Sequence, residues 1–192
     1  MTTHTQLLNA LINKHDLKSY LEIGIGSGEN FAAINAPVKF GVDPEVLIKG
    51  VIKKTSDEYF KNVSTEKWDL IFIDGYHEAD QVKRDFENSL KCLTDNGYII
   101  LHDVLPENEE GTLIPRITKK WWGDVYRFAM TIGIYEGIEF KTLNIDNGCM
   151  IIKKNNLKKN GGPYIKDNSF TDWQWYQLNA KHLMNIVDGV NI

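Results

Sequence analysis

Four side chains suited to moving a proton stand at two places in the chain: Asp74 and His77 within Asp74-Gly-Tyr-His77, and His102 beside Asp103. An imidazole, with an unperturbed pKa near ~6.5, can take a proton from a hydroxyl at neutral pH. His77 is the first candidate for a general base, because it lies in the loop after a run of apolar residues. His102 is the second, and a strand-end histidine bonded to backbone accounts for it equally well. A separate group is Glu22 followed by Gly24, Gly26 and Gly28. Glycines at every second position let backbone N–H groups come close to a ligand. The dinucleotide fingerprint G-x-G-x-x-G would set its third glycine one position later, where this chain has Glu29. A carboxylate in that first helical turn would repel a pyrophosphate and tolerate a ligand with an ammonium and a sulfonium.

These residues need elements that bring them together. Tyr20, Leu21 and Ile23 read as a buried first strand, within Lys18–Ile23, and Glu29 starts a short helix that ends at Asn35-Ala-Pro37. The second strand, Lys39–Val42, closes on Asp43-Pro44. An acid at that tip can accept both ribose hydroxyls of a nucleoside; a turn aspartate is the alternative, and nicotinamide enzymes use such an acid too. Val51–Thr55 is a third strand. The Ser56-Asp57 pair after it suits either an adenine edge or a helix cap. Trp68–Ile73 is nearly all apolar, as a central parallel strand should be. Ala79, Val82, Phe86, Leu90 and Leu93 form one helical stripe, Thr94–Gly97 reads as the turn closing that helix, and Tyr98–Leu101 is the fifth strand. A second amphipathic helix, interrupted at Gly123, is expected to carry Trp121, Val125, Phe128 and Ile132. Glu139–Leu143 and Gly148–Ile152 read as a terminal antiparallel hairpin. Alternating strands and helices imply a mostly parallel sheet with ligands at its carboxyl edge. Glu22, Asp43, Asp57, Asp74-His77 and His102-Asp103 all fall at or beside such ends. Scattered in sequence, they would converge in one cleft.

The chain has 192 residues and a net charge of −4, so nothing global points to nucleic acid or an anionic membrane. Its two cysteines, Cys92 and Cys149, form no C-x-x-C. Reduced, buried thiols and the lack of a signal-like apolar run predict a cytoplasmic protein with no membrane span. Residues 1–154 are expected to form one ligand-binding domain, with an opening helix in 1–17. Residues 155–192 would be a polar linker and an amphipathic helix packed on the domain or on a partner chain, leaving room for a homodimer.

The acid-x-Gly-x-Gly-x-Gly run from Glu22 resembles motif I of class I S-adenosylmethionine (SAM) methyltransferases. Asp-Leu-Ile-Phe-Ile-Asp-Gly-Tyr-His at 69–77, the helix containing Asp85, and Gly-Tyr-Ile-Ile-Leu-His-Asp at 97–103 narrow the resemblance to the methyltransferase-24 group of those enzymes. It runs from about Lys18 to Lys154 and implies a Rossmann-like α/β fold, with a seven-stranded, mostly parallel sheet ending in an antiparallel hairpin. It further implies that Glu22, Gly24, Gly26 and Gly28 surround the methionyl part of SAM, that Asp43 holds the ribose, and that Ser56 and Asp57 hold the adenine end. Asp74, His77, His102 and Asp103 would face the transferred methyl group. Related O-methyltransferases bind Mg2+ with carboxylates at the positions of Asp74 and Asp103. The usual acid or amide beside the second aspartate is absent, since His102 precedes it and Val104 follows. Members are often associated with sugars, surface glycans and natural products, and Trp122-Gly-Asp-Val125 is similar to bacterial relatives in glycan clusters.

The expected function is therefore SAM-dependent O-methylation of a sugar or another small hydroxylated metabolite. Arg116, Lys119 and Lys120 are available for an anionic group of the acceptor. A nicotinamide-dependent oxidoreductase and a non-catalytic binding or assembly protein are the alternatives.

Overall fold

In the computed structural model, which describes residues 3–46, 48–62, 66–155, 162 and 172–188, Thr3 opens the first helix, α1 (His4–His15). The Thr3 hydroxyl accepts from the Gln6 N–H and the Gln6 side chain accepts from the Thr3 N–H, a reciprocal cap. Leu7, Leu8, Leu11 and Ile12 form its buried face. Strand β1 (Ser19–Ile23) follows, then α2 (Glu29–Ala33), β2 (Val38–Asp43), β3 (Val51–Lys53), α3 (Ser56–Asn62), β4 (Trp68–Ile73) and α4 (Ala79–Cys92). Strand β5 (Leu93–Leu101) leads through a long loop to α5 (Val125–Ala129). The chain then forms β6 (Ile138–Leu143), β7 (Cys149–Lys154), α6 (Trp173–Leu183) and β8 (Ile186–Val187).

The strands make one sheet in the order β3-β2-β1-β4-β5-β7-β6-β8. The five from β3 to β5 are parallel, and β7 runs antiparallel to both β5 and β6. Alternate residues of the central strands enter two separate cores. Leu21, Ile23, Ile71, Ile73, Ile99 and Leu101 face α4, α5 and α6, while Tyr20, Leu70, Phe72 and Ile100 face α1 and α2. Burial on both faces is why β4 reads as a continuous apolar run. Tyr176, Ala180 and Leu183 of α6 are buried in the first core, and the Tyr176 ring meets Tyr126 edge-on at 4.7 Å.

The expected parallel sheet with its antiparallel hairpin is present, with three differences. An eighth strand, β8, pairs parallel with β6 at the edge. The turn expected at Thr94–Gly97 is a bulge within β5: Trp68 pairs with Leu93 and Leu70 with Tyr98, and the Thr94 hydroxyl donates to Asp69 at 3.0 Å. The second amphipathic helix shrinks to Val125–Ala129, because Gly123 at φ +61° breaks it and leaves Trp121 in the loop. The linker expected at 155–168 lies outside the described residues except for Asn155 and Gly162. Both cysteines are buried free thiols. Among the described residues no helix is long and apolar enough to cross a membrane.

Candidate active site

A cavity of about 1000 Å³ opens over the carboxyl ends of β1, β2, β4 and β5. Glu22, Gly24, Gly26, Asp43, Ser56, Asp74, His77, His102 and Asp103 line it, so residues separated by up to four strands in sequence meet at one site. Gly28 and Asp57 lie beside it. Gly28 heads α2 at φ +80°. Asp57 turns toward Arg84, 3.5 Å away.

The glycine turn is shaped on both sides. A β-carbon at Gly24 would stand 2.2 Å from the Asp74 carbonyl oxygen, so only glycine lets β1 turn against the end of β4. At Gly26 a β-carbon would meet nothing within 4 Å; the space above it belongs to the cavity. Asp43 braces the turn from β2. One of its oxygens accepts from the Ile25 N–H at 3.0 Å, and the other from Glu45 and Val46 at 2.8 and 2.9 Å. Partial burial works against the charge, but these amide bonds outweigh it and hold the carboxyl below its ordinary range.

Glu22 is buried at the cavity floor, 1% exposed. The Tyr20 hydroxyl donates to its Oε2 at 2.5 Å and the Asn30 amide at 3.0 Å. Burial nevertheless dominates and pushes its pKa up to about 7. A buried carboxyl of this kind gains from any cation that enters beside it.

Asp74, His77, His102 and Asp103 form one cluster. Asp74 Oδ1 lies 3.1 Å from His102 Nδ1 and 3.4 Å from His77 Nε2, while His77 Nδ1 lies 3.4 Å from Asp103 Oδ2. Asp103 is buried, 6% exposed, and its backbone is left-handed at φ +56°. The two carboxyls differ. Burial raises both, but the imidazoles hold Asp74 well below the carboxylate range, whereas burial and the nearby Asp74 charge leave Asp103 raised. Two acids sharing one site split in this way. Burial opposes the charge on both rings, yet Asp74 and Asp103 overcome it: His77 is raised, and His102 is raised to about 9. His77 stacks on Trp121 at 5.3 Å between ring centres, and the Arg116 guanidinium lies 5.7 Å over the same indole. Arg116 lines the cavity; Lys120 instead pairs with Glu107.

Asp85, His4 and Asp146 also line the cavity. Asp85 is buried in α4, accepts from Gln81 at 3.0 Å, and is raised by burial to about 6. It sits three residues after Val82 and one before Phe86, at the edge of the apolar stripe, which is the clue that was present. His4 and Asp146, which approach each other to 2.6 Å across the sheet, offered none.

Two donor sets fit what the fold would hold. For SAM, the open space over Gly26 and the buried Glu22 carboxyl suit a ligand bearing positive charge. For a divalent cation, Asp74, His102 and Asp103 each bring a donor atom within 4.8 Å of the others, and Asp103 Oδ1 is buried without a hydrogen bond. One imidazole among two carboxylates also admits Mn2+ or Zn2+.

Residues 48–104 match the family model of a methyltransferase domain, in agreement with the resemblance read from Asp69–Asp103. No curated protein matches the chain. Solved structures match widely. A proposed caffeoyl-CoA O-methyltransferase from Staphylococcus aureus is 24% identical, covering 78% of this chain and 82% of the other, at a TM-score of 0.56. An O-methyltransferase from Bacillus cereus in complex with SAH is 19% identical over 80% and 82%, at 0.58. The SAH-bound methyltransferase of Podospora anserina is 19% identical over 80% of each chain, at 0.59. The fold is thus that of the class I SAM methyltransferases.

Proposed function

We propose that this protein is a SAM-dependent O-methyltransferase acting in the cytoplasm on a small hydroxylated acceptor, of which a sugar or glycan precursor is the leading kind. The observation that carries the reading is the meeting, in one cavity, of an open glycine turn with the His77–Asp74–Asp103 cluster. The family match over residues 48–104 supports it.

SAM, when bound, supplies an electrophilic methyl group. The chain's own part is to align and to move a proton. The turn at Gly24 and Gly26, braced by Asp43, presents backbone to the donor, and Glu22 offers a buried negative charge. His77 takes the acceptor's hydroxyl proton, with Asp74 and Asp103 stabilising the imidazolium that forms. Asp74, His102 and Asp103 would hold a divalent cation, Mg2+ or a related ion, whose chemistry is to lower the pKa of a bound hydroxyl. Arg116, held over Trp121, places a cation at the acceptor side; this favours an acceptor carrying phosphate or carboxylate.

Calorimetry against SAM and NAD, followed by SAH release over a panel of free and phosphorylated sugars with and without EDTA, tests the proposal. SAM binding with acceptor-dependent SAH release is expected, and His77→Ala should abolish release while keeping SAM binding. Binding of NAD but not SAM would refute it.

A further inference from the structure

Outside the cluster assigned to proton transfer, one further set of donors points at a ligand. His4 begins α1, Asp146 sits in the β6–β7 turn, and His102 ends β5. One donor atom of each lies within 4.8 Å of the others. His102 is 93% buried by side chain, being 7% exposed, and its Nε2 has no hydrogen-bond partner. His4 Nδ1 is likewise buried, with Asp146 Oδ2 2.6 Å away. A buried imidazole nitrogen without a partner is costly to leave unsatisfied, and His102 Nε2 is one.

The surroundings fix these groups. Asp74 accepts from His102 Nδ1 at 3.1 Å, which leaves Nε2 as the ring nitrogen that a metal would take by displacing its proton; carboxylates orient metal-binding histidines in this way. The His4 ring stacks on Phe72 at 5.4 Å and meets His102 edge-on at 4.7 Å. Asp146 Oδ2 also accepts the His4 backbone N–H at 2.8 Å, and its backbone is left-handed at φ +46°. Three elements distant in sequence are thus tied at one point on the cavity rim.

We infer that His4, His102 and Asp146 form a binding site for a first-row transition metal of the Zn2+ class. Two imidazoles and one carboxylate suit Zn2+, Fe2+ or Co2+ and are poor for Ca2+ or Mg2+. Three protein ligands leave a position open toward the cavity for water or an acceptor oxygen. Asp74 and Asp103 lie 3.1 and 3.5 Å from His102 Nδ1, which leaves Nε2 as the ring nitrogen for this set. The inference does not require methyl transfer, because its test reads metal.

The experiment is titration of the chelator-treated full-length protein with Co2+, followed by visible absorption, with Zn2+ calorimetry in parallel. One ion per chain is expected, with the intense visible bands of low-coordinate Co2+. His4→Ala and Asp146→Asn should each weaken binding by at least about 100-fold, more than loss of an orienting partner costs. Asp103→Asn should keep the bands. Circular dichroism of each variant, together with His4→Gln, separates lost ligands from lost folding. No binding by the wild-type chain would overturn the inference. So would bands that survive in folded His4→Ala, or that vanish in Asp103→Asn while persisting in His4→Ala; the last result would put the ion between Asp74 and Asp103 instead.

Discussion

Gly123 lies against the backbone of His77 so closely that a β-carbon there would stand 1.7 Å from the His77 carbonyl oxygen. The next residue confirms the contact: the Asp124 N–H donates to the same oxygen at 3.1 Å, and the Asp124 side chain accepts from the Ala79 N–H. The β5–α5 loop therefore sets the height of His77, the proposed base. Gly123→Ala must push the His77 loop away and also strain a backbone at φ +61°. A misplacement of about 1 Å can cost ~100-fold in rate. SAH release should fall by 10- to 100-fold in order of magnitude, with SAM affinity by calorimetry nearly unchanged. Equal losses in both would mean that the contact holds the whole cavity rather than the base.

Glu22 links the donor site to stability. Its carboxyl rises from 4.5 to about 7 on folding, chiefly through burial. The folded state then binds the proton more tightly than the unfolded one, so this group's contribution to stability is full below about 4.5 and is lost as pH rises through about 7. The decline is at most about 3 kcal/mol. Glu22→Gln should remove this slope, leaving the ligand-free protein more stable than wild type at pH 8 in urea titrations. The same variant should bind SAM about 10-fold more weakly, since a charged partner is lost. A variant that binds SAM at wild-type strength would remove Glu22 from the donor site.

The parts of this molecule legible in sequence were those encoded locally. The apolar run Trp68–Ile73, the glycines after Ile23 and the stripe on α4 each report their own environment, and the parallel topology then brings Asp43, Asp74 and Asp103 to one edge. What stayed hidden depends on pairs far apart. Nothing near His4 announces Asp146, and nothing near Gly123 announces the His77 carbonyl. Asp43 was legible as an acid at the tip of β2 but not as a brace, because its partner Ile25 is chosen by how β1 and β2 lie side by side. The short α5 was misjudged for a related reason: Trp121 fits a helical stripe by spacing, yet its ring is needed on His77.

The His102–Asp74 pair gives a second pH window, on the alkaline side. His102 rises from 6.5 to about 9 because Asp74 and Asp103 outweigh its burial. A base raised on folding contributes stability that is full below about 6.5 and is lost as pH climbs through about 9. Asp74 is depressed from 3.8, so the same pair also weakens as pH falls below that range. The interaction is one and is counted once. Unfolding midpoints at pH 6, 7.5 and 9 should decrease in order, and His102→Asn should flatten that decline while lowering stability at pH 6. An unaltered slope in the variant would assign the window to another group.

Asp43 allows its two possible jobs to be separated. Its Oδ1 serves the Glu45 and Val46 amides and its Oδ2 serves Ile25 within the glycine turn. Asp43→Ala removes both acceptor oxygens and the three hydrogen bonds they take, and should cost about 2–4 kcal/mol, at roughly 1 kcal/mol or somewhat more per bond. Asp43→Asn can keep its oxygen on Glu45 and Val46, but it then turns an amide donor toward the Ile25 N–H. Its stability cost should be nearer 1–2 kcal/mol. If bracing the turn is what SAM binding needs, affinity should drop in both variants, because both release Ile25. A role confined to accepting ribose hydroxyls predicts a different pattern. Asn retains an acceptor oxygen, so affinity would survive in Asp43→Asn and fail only in Asp43→Ala. Calorimetry on the two folded variants, read beside their urea midpoints, distinguishes the brace from the direct contact.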